Sequence, residues 1–446
     1  MQDDTPEIRE ARSLDTAIQA SLRKRWHLLL PAAFVTYSLA YLDRANFGFG
    51  VAAGMTQSLH ITGSQTSLLG SLFFLGYFAF QLPGAAVAKR VGVSRLVFVL
   101  LIAWGIFAAM TGVIRTFWLL ALDRILLGIA ESLIFPAMIY LLAQWFTRAE
   151  RSRANMFLIV GNPGTVLWMS VITGYLIQHF GWQKTFVIEG LPAIVWAFAW
   201  IAIVRDRPSA ASWMTPSAAQ ILESALAKEQ TAIASVATVR MALLRHDVLL
   251  LSAQYFFWSL GIYGFVLWLP TMVRQGAMTS MGQTGLLSAV PYVAGVLAMA
   301  LVAHISDKTQ RRAGLVWPFL LVGGLALLGS FLLADLSFPL AFTCLVIGGG
   351  CMYAPYGPFF AIIPERLPRN VTAEVLALIN SAGALGGFVG SYFVGLLQAL
   401  TGNSRAGFLL MSLSLLIAAV LYVWMPPTPS PENKTRLATG RMEVAL

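Results

Sequence analysis

The sequence predicts an all-α, polytopic membrane protein: twelve transmembrane helices in two six-helix bundles, with both termini on the cytoplasmic side. Three observations carry this. Apolar residue types make up 58% of the 446 residues and charged types 11%, where a soluble domain has about 25% charged. So few charges cannot cover a water-exposed surface of this size, and mean hydropathy is +0.73. The apolar residues also fall in long blocks, near the roughly 20 consecutive residues that a span needs. Finally, the basic residues are one-sided. With the N-terminus placed inside, 24 of the 30 Lys and Arg fall in cytoplasmic segments and four in external loops; the remaining two, Arg44 and Arg124, lie inside spans. This positive-inside asymmetry explains the net charge of +10 as topology. No basic stripe is interleaved with aromatics, so no nucleic-acid partner is expected.

In chain order, residues 1–27 are polar and read as a cytoplasmic segment. No cleavable signal peptide is expected, because the first apolar run is too long and too poorly punctuated for an h-region. Six runs follow, at 28–50, 66–88, 96–114, 117–146, 154–178 and 185–204, forming a first bundle over 28–204. Residues 205–247 hold Pro208, Pro216 and a helical-looking piece around Ala218–Gln230, and read as a cytoplasmic linker. Six more runs, at 248–273, 284–305, 314–334, 338–361, 373–400 and 405–425, form a second bundle over 248–425, with a cytoplasmic tail at 426–446. In span 5, Asn162-Pro163-Gly164 is a place for a kink. Span 11 carries Gly383, Gly386, Gly387, Gly390 and Gly395, with Gly386 and Gly390 at the small-xxx-small spacing of close helix packing. Cys344 and Cys351 are seven residues apart in one run, about 10 Å of helical rise, too far for a disulfide within that helix; both read as packing residues.

Charges inside the runs are the exception to be explained. "YLDRANFGFG", residues 41–50, puts Asp43 beside Arg44 in a stretch otherwise apolar from Leu28 to Ala53. Span 4 adds Arg124 and Glu131, which with Gly128 stand at i, i+4 and i+7 and share one helix face. Each ionised group at a helix centre costs roughly 2.5–3.5 kcal/mol on insertion scales, so such residues face a cavity or pair with one another. A static cluster that only locks spans 1 and 4 together is the structural alternative. The functional one is chemical. A carboxylate removed from water binds a proton more readily, and an arginine keeps its charge and offers a planar fork to a carboxylate. Asp123 reads as interfacial, near the outer end of span 4, and Glu189, at the outer start of span 6, as structural.

The two halves echo each other. "AAVAKRVGVSR" (85–95) follows span 2 and "AHISDKTQRR" (303–312) follows span 8, each a short basic turn. Parallel six-span repeats are a common transporter plan. Both turns resemble the signature loop of the major facilitator superfamily. The second copy keeps Asp307, Lys308, Arg311 and Arg312, with Ala303 where Gly is usual. The first has Lys89 in the aspartate position, followed by Arg90, Gly92 and Arg95, a departure that resembles the anion:cation symporter branch. "YLDRANFGFG", "DRILLGIAESLIFPAMIYLLAQWF", "ERSRAN", "GWQKTFVIEGLPA" and "LINSAGALGGFVGSYFVG" resemble the same branch. "YAPYGPFFAIIPERLPRNV" and "QYFFWSLGIYGFVLWLP" look most like permeases for sugar acids such as 2-ketogluconate.

The resemblance implies the major facilitator fold and proton-coupled uptake of an organic anion across the cell inner membrane, by a monomer, with the proton gradient as drive. It assigns proton coupling to Asp43, Glu131 and Arg124, and the substrate carboxylate to Arg44. A sugar acid also needs neutral hydrogen-bonding groups. Candidates are Tyr41, Asn46, Tyr77, Gln81, Asn162, Gln254, Tyr255, Tyr263, Tyr353, Tyr356, Asn380 and Ser381, each tyrosine being equally compatible with helix packing or the interfacial belt. The basic turns, with Lys89, Arg90, Asp307, Lys308, Arg311 and Arg312, would act as inner gating loops. Tartrate or an aromatic carboxylate are alternative cargoes; exchange of anions, or ligand binding without transport, are alternative activities. No enzyme signature is found. The five histidines have no metal spacing, no GxxxxGK[ST] sequence occurs, and no cofactor is expected.

Overall fold

A chain inside hydrocarbon must satisfy its backbone within its own helices, and among the described residues every regular element is helical. The computed structural model describes residues 6–147, 150, 154, 157–158, 161–231, 241, 243–309, 312–366, 372–402 and 406–423. The side chains of residues 6–15, 45, 82–86, 88–90, 136, 162–163, 229–231, 307, 313, 361, 363–366, 372–374 and 423 lie outside that description.

Among the described residues, each of the twelve predicted apolar runs lies mostly on helix. Span 1 lies in Pro6–Ala52, which begins well before the membrane stretch; span 2 is Gly63–Val91 and span 3 is Val93–Thr111. Span 4 is two helices in line, Phe117–Ser132 and Ile134–Trp145; spans 5 and 6 share Gly161–Ile203. Spans 7 and 8 are His246–Ala277 and Met281–Thr309, and span 9 is Trp317–Leu333. Span 10 is again divided, into Phe338–Tyr353 and Tyr356–Arg366; spans 11 and 12 are Thr372–Thr401 and Ala406–Val423. Seven described helices are long and apolar enough to cross a membrane, and two shorter apolar ones, Trp317–Leu333 and Ala406–Tyr422, join them. At 1.5 Å per residue a helix of 17 residues is about 26 Å long, close to the hydrocarbon thickness.

The break in backbone dihedrals between spans 5 and 6 falls at Gly181, with φ 75°. It does not fall at Asn162-Pro163-Gly164, where the described backbone stays helical. A residue with no Cβ holds a positive φ without strain, whereas proline bends a helix and leaves its dihedrals helical.

Small residues set the helix contacts. A Cβ at Gly386 would overlap the Phe256 carbonyl, and one at Gly390 the Leu260 carbonyl. The predicted small-xxx-small face therefore seats span 11 on span 7. Gly387 meets Phe74 of span 2, and Gly395 meets Ser67 of span 2 and Trp268 of span 7. Span 5 crosses span 8 at Gly174 and Gly285, and the Gly282 N–H donates to Gln178 Oε1 at 2.8 Å. Span 1 meets span 7 where Gly48 abuts the Leu267 carbonyl and Arg274 donates to the Ala52 carbonyl. This last contact lies at the end that carries the connections 53–62, with its short helix Met55–Ser58, and 278–280. The helical piece expected near Ala218–Gln230 is the helix Pro216–Thr231. The segment leading into it is tied to span 4 and to the helix of span 1: Trp213 stacks on Trp145 at 5.1 Å, and the Thr215 N–H donates to Ser21 Oγ at 3.0 Å.

Candidate functional site

Span 1 distributes its polar residues by helical rotation. Successive residues turn by about 100°, so neighbours in sequence face different helices. Arg44 points inward, and its Nε donates to Glu131 Oε2 of span 4 at 3.0 Å. The guanidinium carbon sits 4.6 Å from the Tyr77 ring centroid and 5.5 Å from those of Tyr41 and Phe73. Aromatic faces thus hold the cation while the carboxylate balances its charge. Glu131 is fully buried, and its second oxygen, Oε1, meets no donor among the described residues. Asp43, one residue earlier, faces span 3 and accepts a hydrogen bond from Trp104 Nε1; both residues are buried.

The shared face of span 4 packs on span 2. Arg124 Nε donates to the Leu69 carbonyl at 3.4 Å, and its guanidinium lies over Phe47 and Phe73 at 4.6 and 5.4 Å. A Cβ at Gly128 would overlap the Phe73 carbonyl, so this glycine lets spans 2 and 4 approach closely enough for Glu131, one turn on, to reach Arg44. Asp123, expected near the outer end of span 4, is buried against the end of span 3. It accepts from Thr111 Oγ1 at 2.8 Å, a contact that removes it from water by tying span 3 to span 4.

A cavity opens in front of Arg44 between the two halves. Its walls are Tyr37, Arg44, Phe74, Tyr77, Gln81 and Phe135 from the first half, with Tyr255, Tyr263, Tyr356, Phe360, Asn380, Gly383 and Ala384 from the second. Seven of the expected binding residues come together there: Arg44, Tyr77, Gln81, Tyr255, Tyr263, Tyr356 and Asn380. Gln81 also meets Ser381 Oγ at 3.3 Å, which holds Ser381 behind the wall.

The other candidates sit elsewhere. Tyr41 is buried beside the Arg44 guanidinium. Tyr353 stacks behind Tyr356, with centroids 6.0 Å apart. Gln254 Nε2 donates to the Ala418 carbonyl at 3.2 Å and so joins span 7 to span 12. Asn46 turns toward spans 5 and 6, to Thr173 and Glu189. Asn162 lies outside the described side chains, as do Lys89, Arg90 and Asp307; Arg311 lies outside the described residues altogether. Of the remaining gating candidates, Lys308 is exposed and Arg312 half-buried.

Tyr37, Phe74, Phe135 and Phe360 line the cavity without having been singled out. Tyr37 stands seven residues before Arg44, on the same helix face, and Phe74 three before Tyr77; that periodicity was the available signal. A further residue missed is Asp206. Its Oδ1 accepts from the Ser94 N–H at 2.8 Å, and Ser94 Oγ donates to the Val204 carbonyl at 2.7 Å. The acid at the end of span 6 therefore caps the start of span 3, beside the turn at Gly92, φ 88°.

Comparison with known proteins follows the same outline. The Major Facilitator Superfamily pattern matches residues 33–391. A quinolone resistance transporter of Acinetobacter baumannii is 31% identical over 405 residues, 88% of this chain and 92% of that protein. A protein assigned as a tartrate transporter in Agrobacterium vitis is 29% identical over 434 residues, 94% of each chain. Among solved structures, a bacterial homolog of the human lysosomal transporter Spinster, inward-facing and unoccupied, superposes with a TM-score of 0.72 at 19% identity, covering 88% of this chain and 95% of that one. The last likeness is one of fold. The sequence match spans most of the chain, the fold agrees with it, and the motifs in spans 1, 4 and 11 that resembled the family sit where its two halves meet: this multi-pass membrane protein belongs to the Major Facilitator Superfamily.

Proposed function

We propose that the chain takes up a small organic anion together with protons across the inner membrane, and that the anion is a sugar acid such as 2-ketogluconate or another hexonate. The observation that carries this is the Arg44–Glu131 pair at 3.0 Å, with Arg44 in the wall of the cavity. A substrate carboxylate entering the cavity meets Arg44, the one cation among the described residues of that wall. To bind it must share or take Arg44 from Glu131. A buried carboxylate that loses its cation is left uncompensated, at a cost of roughly 3–5 kcal/mol, unless it gains a proton. Among the described residues Glu131 Oε1 has no donor, so a proton can add there without displacing one of their hydrogen bonds. Substrate on Arg44 and proton on Glu131 then rise and fall together. Asp43, out of the cavity against Trp104, serves as a second proton carrier that senses Arg44 through the helix they share. The turns with Lys89 and Asp307 act as the inner gate.

The sugar-acid reading rests on the neutral part of the wall: five tyrosines, Gln81 and Asn380 offer hydroxyls and amides to a polyhydroxylated chain. The same wall supports a second reading. Eight of its thirteen residues are aromatic, which suits an aromatic carboxylate, and one relative is named for resistance to quinolones, which are aromatic acids.

The deciding measurement is uptake into proteoliposomes under an imposed pH gradient, with sugar acids and aromatic acids competing against labelled 2-ketogluconate. Sugar acids should compete best, and collapse of the gradient should abolish accumulation. Competition by aromatic acids alone would shift the assignment to the second reading. Accumulation indifferent to the gradient would point to exchange, and binding without accumulation to a receptor.

A further inference from the structure

Outside the cavity, one polar cluster is used by nothing described above. Asn46 on span 1, Thr173 on span 5 and Glu189 on span 6 form a closed triangle, all three buried. Asn46 Nδ2 donates to Glu189 Oε2, Thr173 Oγ1 stands 2.6 Å from Glu189 Oε1, and Thr173 Oγ1 stands 3.0 Å from Asn46 Oδ1.

Counting hydrogens fixes the state of the acid. An amide oxygen only accepts, an amide nitrogen only donates, and a hydroxyl has one hydrogen. Among the described residues, Asn46 Oδ1 is satisfied only if Thr173 gives it that hydrogen. The 2.6 Å contact between Thr173 Oγ1 and Glu189 Oε1 then needs a hydrogen from the carboxyl group. Turning the Asn46 amide over does not change the result. Its oxygen would face Glu189 Oε2, and the carboxyl group must again provide the hydrogen. With an ionised Glu189, either orientation leaves two acceptors pressed together in a buried site, which is costly.

We propose that Glu189 is a proton site: it holds a proton as a neutral acid and closes a hydrogen-bond ring that ties spans 1, 5 and 6. The surroundings leave that proton few competitors. Span 3 from Leu96 to Thr111 and span 5 from Gly161 to Gln178 carry no Asp, Glu, Lys, Arg or His. Among the described residues Asp43 of span 1, three residues before Asn46, acts on Glu189 through space, and Arg44, Arg124 and Asp123 act in turn on Asp43.

The ring also has mechanical consequences. Thr173 adjoins Gly174, where span 5 crosses span 8 of the other half, and Asn46 is two residues from Arg44. When the proton leaves as H+, the single Thr173 hydrogen can serve only one partner. The ring then opens, and span 1 is freed from the helix that carries the crossing between the halves. This inference does not depend on which anion is carried.

The test is the infrared difference spectrum at pH 7 between the purified full chain and its Glu189→Gln variant. The variant keeps the ring closed, because its amide nitrogen donates to Thr173 and its amide oxygen accepts from Asn46. It should therefore keep the wild-type melting temperature. The wild type should show one extra carbonyl stretch of a protonated carboxylic acid, and Thr173→Val should shift that band by removing a hydrogen-bond partner. Carboxylate stretches in place of the acid band overturn the proposal, and so does an acid band that Thr173→Val leaves unmoved. Should Glu189→Gln fail to fold, the wild type against Thr173→Val alone makes the same distinction. No transport substrate is used, so failed uptake and a failed acid band are separate results.

Discussion

The first half of the molecule carries Asp43, Arg44, Asp123, Arg124, Glu131 and Glu189 inside its spans, all buried. The second half is unlike it. From Val248 to Val273, Thr284 to Ile305, Trp317 to Leu333, Phe338 to Phe360, Val375 to Leu400 and Ala406 to Tyr422 it carries no Asp, Glu, Lys or Arg. What it brings to the cavity is uncharged: Tyr255, Tyr263, Tyr356, Phe360 and Asn380, with Gly383 and Ala384. The halves share an architecture and divide the chemistry. In the proposed mechanism the first half engages the carboxylate and the protons, while the second reads the uncharged remainder of the substrate. Changes in the first half should therefore alter whether transport is coupled, and changes in the second should alter which acid is chosen.

The largest effect should come from Arg44→Lys. Lysine keeps the charge but loses the planar fork and the aromatic stacking against Tyr77. Uptake of labelled 2-ketogluconate into proteoliposomes should fall about a hundredfold, the scale of roughly 3 kcal/mol for a hydrogen bond to a charged group. Near-normal uptake would remove the first half from carboxylate recognition.

Next in size is Glu131→Gln. The amide can still accept from Arg44 Nε, so the site keeps its shape, but it cannot gain or lose a proton. Counterflow of substrate between equal pools should persist within about threefold, a change under 1 kcal/mol, while accumulation against a gradient should vanish. If accumulation survives, the coupling proton rides elsewhere, with Asp43 the next residue to neutralise.

The comparison also shows how much could be read from the chain alone. The intramembrane charges stood out because a charge in an apolar run is rare and costly. So did the spans, and the small-xxx-small spacing of Gly386 and Gly390 as a mark of close packing; that its partner is span 7 did not. What each residue faces did not. Asp43 and Arg44 are adjacent, yet one helical step of about 100° sends the first to Trp104 and the second to the cavity. Asn46, two steps on, turns to Glu189. Neutral residues were harder still. Tyr353 and Tyr356 are both aromatic residues of span 10, and the one that lines the cavity is decided by how span 10 divides at Tyr353–Tyr356. Phe135 could not be told from a lipid-facing phenylalanine, because hydropathy is the same for both settings. The ring around Glu189 joins residues 46, 173 and 189, and no local pattern brings such distant positions together.

The smallest predicted effect tests the second half. Asn380 lies in the cavity wall and is half-buried. Its amide offers two donors and an acceptor to a hydroxylated ligand, and it has no part in the Arg44–Glu131 pair. Asn380→Ala should therefore leave proton coupling intact and weaken competition by hexonates about fivefold, near the 1 kcal/mol of one neutral hydrogen bond. Aromatic acids, which would present ring faces to Tyr255, Tyr356 and Phe360, should lose little or nothing. The ratio of the two losses is the informative quantity. A ratio near five assigns Asn380 to hydroxyl recognition and favours the sugar acid. Equal losses would mean that the variant disturbs the shape of the cavity. A larger loss for the aromatic acids would invert the substrate assignment while leaving the division of labour between the halves in place, since Arg44 would still hold the carboxylate and span 11 would still be reading the rest.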